Sequence, residues 1–86
     1  MEDLKDTKEM MCSPDYKERF KAEYWQLRIR YTKLKAMCKK WDEGKLDFTP
    51  TCPRWIYRIQ LRAMEDYLTC LEERAKLEKV DLNEVA

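Results

Sequence analysis

The chain has no histidine, a single glycine and only three prolines in 86 residues. Without histidine there is no imidazole to serve as a general base near neutral pH, and no Ser–His or Cys–His pair. One glycine, Gly44, leaves no glycine-rich loop to cradle a phosphate. The four cysteines, Cys12, Cys38, Cys52 and Cys70, are dispersed and form no C-x-x-C pair, which argues against a zinc site. The acidic, polar start does not read as a signal peptide, so reduced, partly buried thiols in a cytosolic protein are expected rather than a disulfide framework. No apolar run approaches the roughly 18 residues that a membrane-spanning helix needs. The carboxylate pairs Glu65/Asp66 and Glu72/Glu73 are sequence neighbours, which do not face each other on a helix. The expectation is a protein that is not an enzyme and uses no metal or cofactor.

What is present is charge and helix-forming composition. Charged residues make up 41% of the chain, with Lys, Glu, Leu, Met and Ala abundant, which favours helix over sheet. The net charge is only +1, but it is unevenly spread. Between Glu23 and Asp42 there is no acidic residue, while Arg28, Arg30, Lys33, Lys35, Lys39 and Lys40 fall in that stretch among aromatic and aliphatic side chains. A basic stretch on an otherwise neutral small protein points to a negatively charged partner.

The hydropathy pattern divides the chain into an N-terminal segment (1–12, with the capacity for a short helix), a helical hairpin domain (13–82) and a tail (83–86). Ser13-Pro14-Asp15 is a helix start: Ser13 can cap, Pro14 suits the first turn and Asp15 favours the positive end of the helix dipole. Phe20, Tyr24, Leu27, Tyr31, Leu34, Cys38 and Trp41 then alternate at spacings of four and three, a continuous helical stripe that Gly44 ends. Pro50 and Pro53 forbid a helix through the connection, where Leu46 and Phe48 are expected to tuck back and Thr51 or Cys52 to cap the next helix. Tyr57, Leu61, Met64, Leu68, Leu71 and Ala75 repeat the stripe, and Val80 and Leu82 can dock beyond it. Two helices, about 14–43 and 53–78, joined by a short connector pack antiparallel, so the fold class is all-α, an antiparallel helical hairpin.

Each helix carries a second apolar strip: Trp25, Ile29, Thr32 and Ala36 on the first, and Ile56, Ile59, Ala63, Tyr67 and Cys70 on the second. A two-helix hairpin buries one face of each helix, and a chain this short buries little surface alone. Self-association into a homo-oligomer is the expectation; the alternative is an apolar fringe covered by the N-terminal segment, Leu46, Phe48 and Leu82.

Arg54, Arg58 and Arg62, four apart with no acid between them, share one face of the second helix and suit bidentate contact with phosphate. Arg28, Arg30 and Lys33 are the corresponding candidates on the first helix, against the alternative of a solvated face. Tyr16, near Lys17, Arg19 and Lys21, is a candidate base-stacking group, or else a core aromatic.

The stretch D-Y-K-E-R-F-K-A-E-Y-W-Q-L-R-I-R-Y-T-K-L-K-A-M, the loop L-D-F-T-P-T-C-P and the segment A-M-E-D-Y-L-T-C-L-E-E-R-A resemble small phage helical-hairpin proteins that counter bacterial immune signalling. Their best-known members are anti-CBASS sponges, with a related hairpin in anti-Thoeris sponges that bind cyclic ADP-ribose isomers. The resemblance covers roughly residues 15–82 and implies a compact hexamer, acting in the cytoplasm of the infected bacterial host. It further implies sequestration of cyclic dinucleotides, with cyclic trinucleotides as a second ligand class, without cleavage, which would block CBASS effector activation. By position it implies Tyr16 for stacking, Arg28 or Arg30 for phosphate, and Arg58 or Arg62 from a neighbouring subunit; Lys33 completes the candidate set. The chemistry suits such a ligand independently, since it brings two negative charges and two flat bases. A nucleic-acid-binding helical protein and a protein-interaction module remain the rival readings.

Overall fold

A computed structural model describes residues 3–83, so the expected tail lies outside the described residues except for Asn83. All regular structure among these residues is helical: a 3-10 turn at Leu4–Thr7, α1 at Lys8–Met11, α2 at Tyr16–Asp42 and α3 at Arg54–Glu78. The two long helices pack antiparallel as an elongated hairpin of 43 × 24 × 18 Å.

Local chemistry sets the helix ends. Asp15, not Ser13, caps α2: its Oδ1 accepts from the Lys17 N–H at 3.0 Å, while Ser13 Oγ accepts from the Asp15 N–H at 3.1 Å. At the other end Gly44 takes φ +71°, which lets its N–H reach the Trp41 carbonyl at 3.0 Å and the Lys45 N–H reach the Lys40 carbonyl at 2.8 Å. The expectation that Thr51 or Cys52 would cap α3 is corrected: Pro53 occupies the cap position in an extended conformation and no side chain caps that end. Proline is tolerated there because its missing N–H has no partner to lose. At the far end of α3, Lys79 adopts φ +58° and the Val80 N–H bonds the Ala75 carbonyl at 2.9 Å, which turns Val80 into the core.

The core fills the open half of the hairpin. Phe20 and Tyr24 of α2 meet Leu68, Leu71 and Ala75 of α3 and Val80 beyond it, with Trp25, Leu27, Tyr31 and Leu82 packed around them. At the turn end, Cys38 is buried, Trp41 and Tyr57 pack edge-on at 5.9 Å, and Arg54 forms a two-pronged link to Asp42 at 3.1 and 3.2 Å. Partial burial of the thiols holds for Cys38 alone; Cys12, Cys52 and Cys70 are exposed.

The second apolar strip of α2 is covered in part by the chain itself, which is the alternative to a subunit interface. The N-terminal segment folds back across α2, where Ala22, Gln26 and Ile29 share one face. Thr7 is fully buried there; its hydroxyl donates to the Leu4 carbonyl at 2.6 Å and accepts from the Gln26 amide at 3.1 Å, while Gln26 also meets the Met11 sulfur. Ala22 and Ile29 are buried, and the Trp25 indole donates to the Leu82 carbonyl at 2.8 Å. Thr32 and Ala36, further along, remain exposed. On α3 the second strip stays open: Ile56, Ile59, Ala63, Tyr67 and Cys70 are all exposed.

Candidate functional site

Tyr16 occupies the first helical position of α2, at the open end of the hairpin. Its ring is 47% exposed and tilts against Phe20 with centroids 6.2 Å apart, so it is not a buried core aromatic. The hydroxyl donates to Glu78 Oε1 at 2.7 Å and accepts from Arg74 Nη2 at 2.9 Å. Arg74 in turn bonds Glu78 through Nε at 3.3 Å and lays its guanidinium 4.8 Å from the Phe20 ring centre. The hydrogen bond from Tyr16, reinforced by Arg74, holds the Glu78 carboxyl below the usual carboxylate range. An aromatic face is thus presented to solvent in a fixed orientation beside a guanidinium. Arg74 is absent from the candidate set drawn from the sequence; the antiparallel register, which sets the start of α2 beside the end of α3, is the signal that finds it.

Two seams run along the hairpin from this end. On one, Tyr24 donates to Glu72 at 3.2 Å and Tyr31 donates to Glu65 at 2.7 Å. Burial, with the Glu72 carboxylate adding to it, pushes the Tyr24 hydroxyl up against the opposing influence of Arg28. Arg28 lies here, 3.3 Å from the Tyr24 hydroxyl and 4.0 Å from Glu72. Further along, Arg54, Arg58, Leu61, Arg62 and Glu65 line a shallow cleft of about 280 Å³. The arginine row is partly engaged within the chain: Arg54 by Asp42, and Arg62 loosely by Asp66 at 3.9 Å. Among the described residues Arg58 makes no ion pair.

The opposite seam carries the Tyr67–Glu23 hydrogen bond, which together with burial pushes the Tyr67 hydroxyl up. Beyond it Arg30, Lys33, Leu34, Met37, Gln60 and Met64 line an open cleft of about 390 Å³. Lys33 and Met37 also belong to a neighbouring cleft of about 380 Å³ that is completed by Lys40, Lys45, Leu46 and Phe48. Among the described residues none of Arg30, Lys33, Lys40 and Lys45 forms an ion pair, and Asp47 is the acid that lines this second cleft. The loop residues Leu46 and Phe48 do fold back, as expected, and Phe48 stays more than half exposed. Lys40, read in the sequence as part of the basic stretch, and Lys45 and Phe48 are absent from the candidate set; the fold-back of the connecting loop is what brings them together.

The six candidates therefore occupy three places on one chain. Tyr16 stands at the open end, Arg28, Arg58 and Arg62 on one seam, and Arg30 and Lys33 on the other. Arg28 and Arg30 are separated because two residues turn a helix by about 200°. From Tyr16 to Arg30 the rise along α2 is about 21 Å. Among the described residues no cluster of His, Cys, Asp and Glu has the grouping a metal ion requires. Among the described residues no helix is long and apolar enough to cross a membrane. Chemically, the surface offers exposed aromatic faces and guanidinium and ammonium donors.

A family model described as Sequestin matches residues 14–77, which take in nearly all of both long helices and the turn between them. No curated protein and no solved structure matches the chain.

Proposed function

The chain belongs to the Sequestin family, and from that premise we propose that it is a sponge: it binds cyclic oligonucleotide second messengers and withholds them without cleaving them. The family name agrees with the sponge resemblance of the sequence and with sequestration as the mode of action. The ligands in this reading are cyclic dinucleotides, with cyclic trinucleotides as a second class. Their removal keeps a CBASS effector of the infected bacterial host inactive, which makes the protein a phage countermeasure acting in the host cytoplasm.

The observation that carries the reading is the Tyr16 station. A half-exposed ring, pinned through its hydroxyl by Arg74 and Glu78, is pre-oriented to stack on a base at little entropic cost. The phosphates then fall to cations that form no ion pair among the described residues, Arg30 and Lys33 on α2 or Arg58 on α3. Because Tyr16 and Arg30 are about 21 Å apart along one helix, this reading assigns the ring and the phosphate donors of one site to different copies in a homo-oligomer, a hexamer by the resemblance.

Isothermal titration of the full chain with cyclic dinucleotides and trinucleotides tests the proposal, with a linear dinucleotide and a duplex DNA as controls. Binding of a cyclic ligand, and its recovery intact after heat release, is the expected result. Tyr16→Ala is expected to weaken binding at least about tenfold, in line with the loss of a stacked base, while Tyr16→Phe keeps most of it. No heat with any cyclic nucleotide on well-folded protein overturns the reading. Salt-sensitive binding of duplex DNA alone would instead favour a nucleic-acid-binding protein.

A further inference from the structure

The outer face of α3 is an apolar strip left uncovered by the described residues. Ile56, Ile59, Ala63, Tyr67 and Cys70 recur at helical spacing on it, Ile59 is 60% exposed, and Trp55 lies at the edge with 54% of its surface open. Thr7 near one end of the described residues and Leu82 near the other both bond to α2 rather than lying on this strip. The whole chain exposes 6489 Å². A compact monomer of 10.6 kDa exposes about 5,500 Å², so roughly 1,000 Å² is in excess. That excess is about what one partner contributes to a stable interface of standard size.

The charges beside the strip say what covers it. Along one edge the basic residues come first, Arg58 and then Arg62, and the acidic ones follow, Asp66 and then Glu73. Arg62 and Asp66 hold each other only loosely, at 3.9 Å with both side chains more than 70% exposed. In a parallel two-fold pair this edge would face the other edge of the strip, and its charges would not meet their own copies. An antiparallel copy sets the basic half of one edge against the acidic half of the other, and two-fold symmetry makes both matches at once. Ala63 then falls near the axis, where its small side chain lets the two helices approach closely, and the helix dipoles oppose each other favourably.

We propose that the exposed face of α3 is a self-complementary interface in which two copies pack α3 against α3, antiparallel about a two-fold axis close to Ala63, with Arg62 of each pairing with Asp66 of the partner subunit. This contact stands whether or not the protein binds a nucleotide, because it rests on the strip and its charged edge alone.

Sedimentation equilibrium of the full chain tests it, with circular dichroism confirming that each variant is folded. The wild type is expected to assemble with an even number of copies. Arg62→Asp and Asp66→Arg each place like charges across the axis and are expected to weaken assembly at least about tenfold. Ile59→Ser, which removes apolar area without adding charge, is expected to weaken it as well. An equimolar mixture of R62D with D66R restores both opposite-charge pairs between unlike chains and is expected to recover assembly. That recovery cannot come from the 62–66 pair within one helix, since neither chain contains an opposite-charge pair at those positions. A wild type that stays monomeric at 100-micromolar concentration (about the upper end of ordinary weak association) overturns the proposal. So do folded single variants that assemble like the wild type, or a mixture that does not recover.

Discussion

Lys79 shows how much a single residue can cost in this fold. It ends α3 at φ +58°, the left-handed region, where a Cβ crowds the backbone. The one glycine of the chain does the same task for α2 at Gly44, without that crowding. Lys79→Gly should therefore stabilise the chain by about 0.5–1 kcal/mol, the relief of strain being partly offset by the freer unfolded state. Thermal melts would show this as a rise of a few degrees, and a fall would mean that the Lys79 side chain supports the end of the hairpin. In the core, Leu71 is fully buried, and Leu71→Ala is expected to cost about 2–5 kcal/mol. Acid acts on the carboxylates that are held low. Asp42, bonded by Arg54, and Glu78, bonded by Tyr16 and Arg74, both have their carboxyls depressed in the folded chain. Depressed groups bind fewer protons when folded, so their contribution is present above the unfolded carboxylate range and is lost as pH falls below about 4. Glu78→Gln should flatten the loss of stability with acid in that window, measured by urea unfolding at a series of pH values, and an unchanged slope would rule Glu78 out as a contributor.

At the scale of elements, the N-terminal segment covers part of the second apolar strip of α2. Its 3-10 turn and α1 close over Ala22 and Ile29, and Thr7 and Gln26 satisfy each other beneath it. Deleting residues 1–12 would uncover Ile29, a side chain whose burial contributes roughly 2 kcal/mol, and should lower the melting temperature by about 10 °C. A shift of under a degree or two would show the segment to be a passive cover. The helices themselves were legible because Phe20, Tyr24, Tyr31, Leu68 and Leu71 repeat at a period that only a helix aligns on one face, and Gly44 and Pro53 bracket the turn between them. What covers the second strip was not legible. Periodicity counts the faces of a helix but does not say which part of the chain occupies each, and Thr7, which anchors the segment, carries no hydropathy signal. The candidate site was legible by residue type and not by place. Tyr16 proved open to solvent, yet Arg74, which holds it, sits 58 positions away and comes into view only through the register of the hairpin.

At the scale of the whole molecule, the separation of Tyr16 from Arg30 along a stiff helix decides what kind of binding one chain can perform. A ring of two nucleotides does not reach across about 21 Å, so a lone chain does not bring the Tyr16 face and the Arg30 and Lys33 cations onto one ligand. Assembly supplies the other half. An antiparallel neighbour reverses the long axis and brings the open end of one hairpin toward the turn end of the next, where Lys40, Lys45 and Phe48 line a cleft, while Arg30, level with Met64 and so close to the axis, stays far from the partner's Tyr16. Binding and assembly are then coupled, and each strengthens the other by the same factor. Asp66→Arg tests this without touching Tyr16, Arg30, Lys33 or Arg58. If the site is shared, the variant should bind a cyclic dinucleotide at least about tenfold more weakly at micromolar protein, and raising the protein concentration should restore affinity as copies reassociate. Titrations at two protein concentrations, read beside the sedimentation of the same samples, make the measurement. Full affinity in a monomeric variant would place the entire site within one chain and shift attention to the cleft of Lys33, Lys40 and Lys45 with Phe48 as its aromatic.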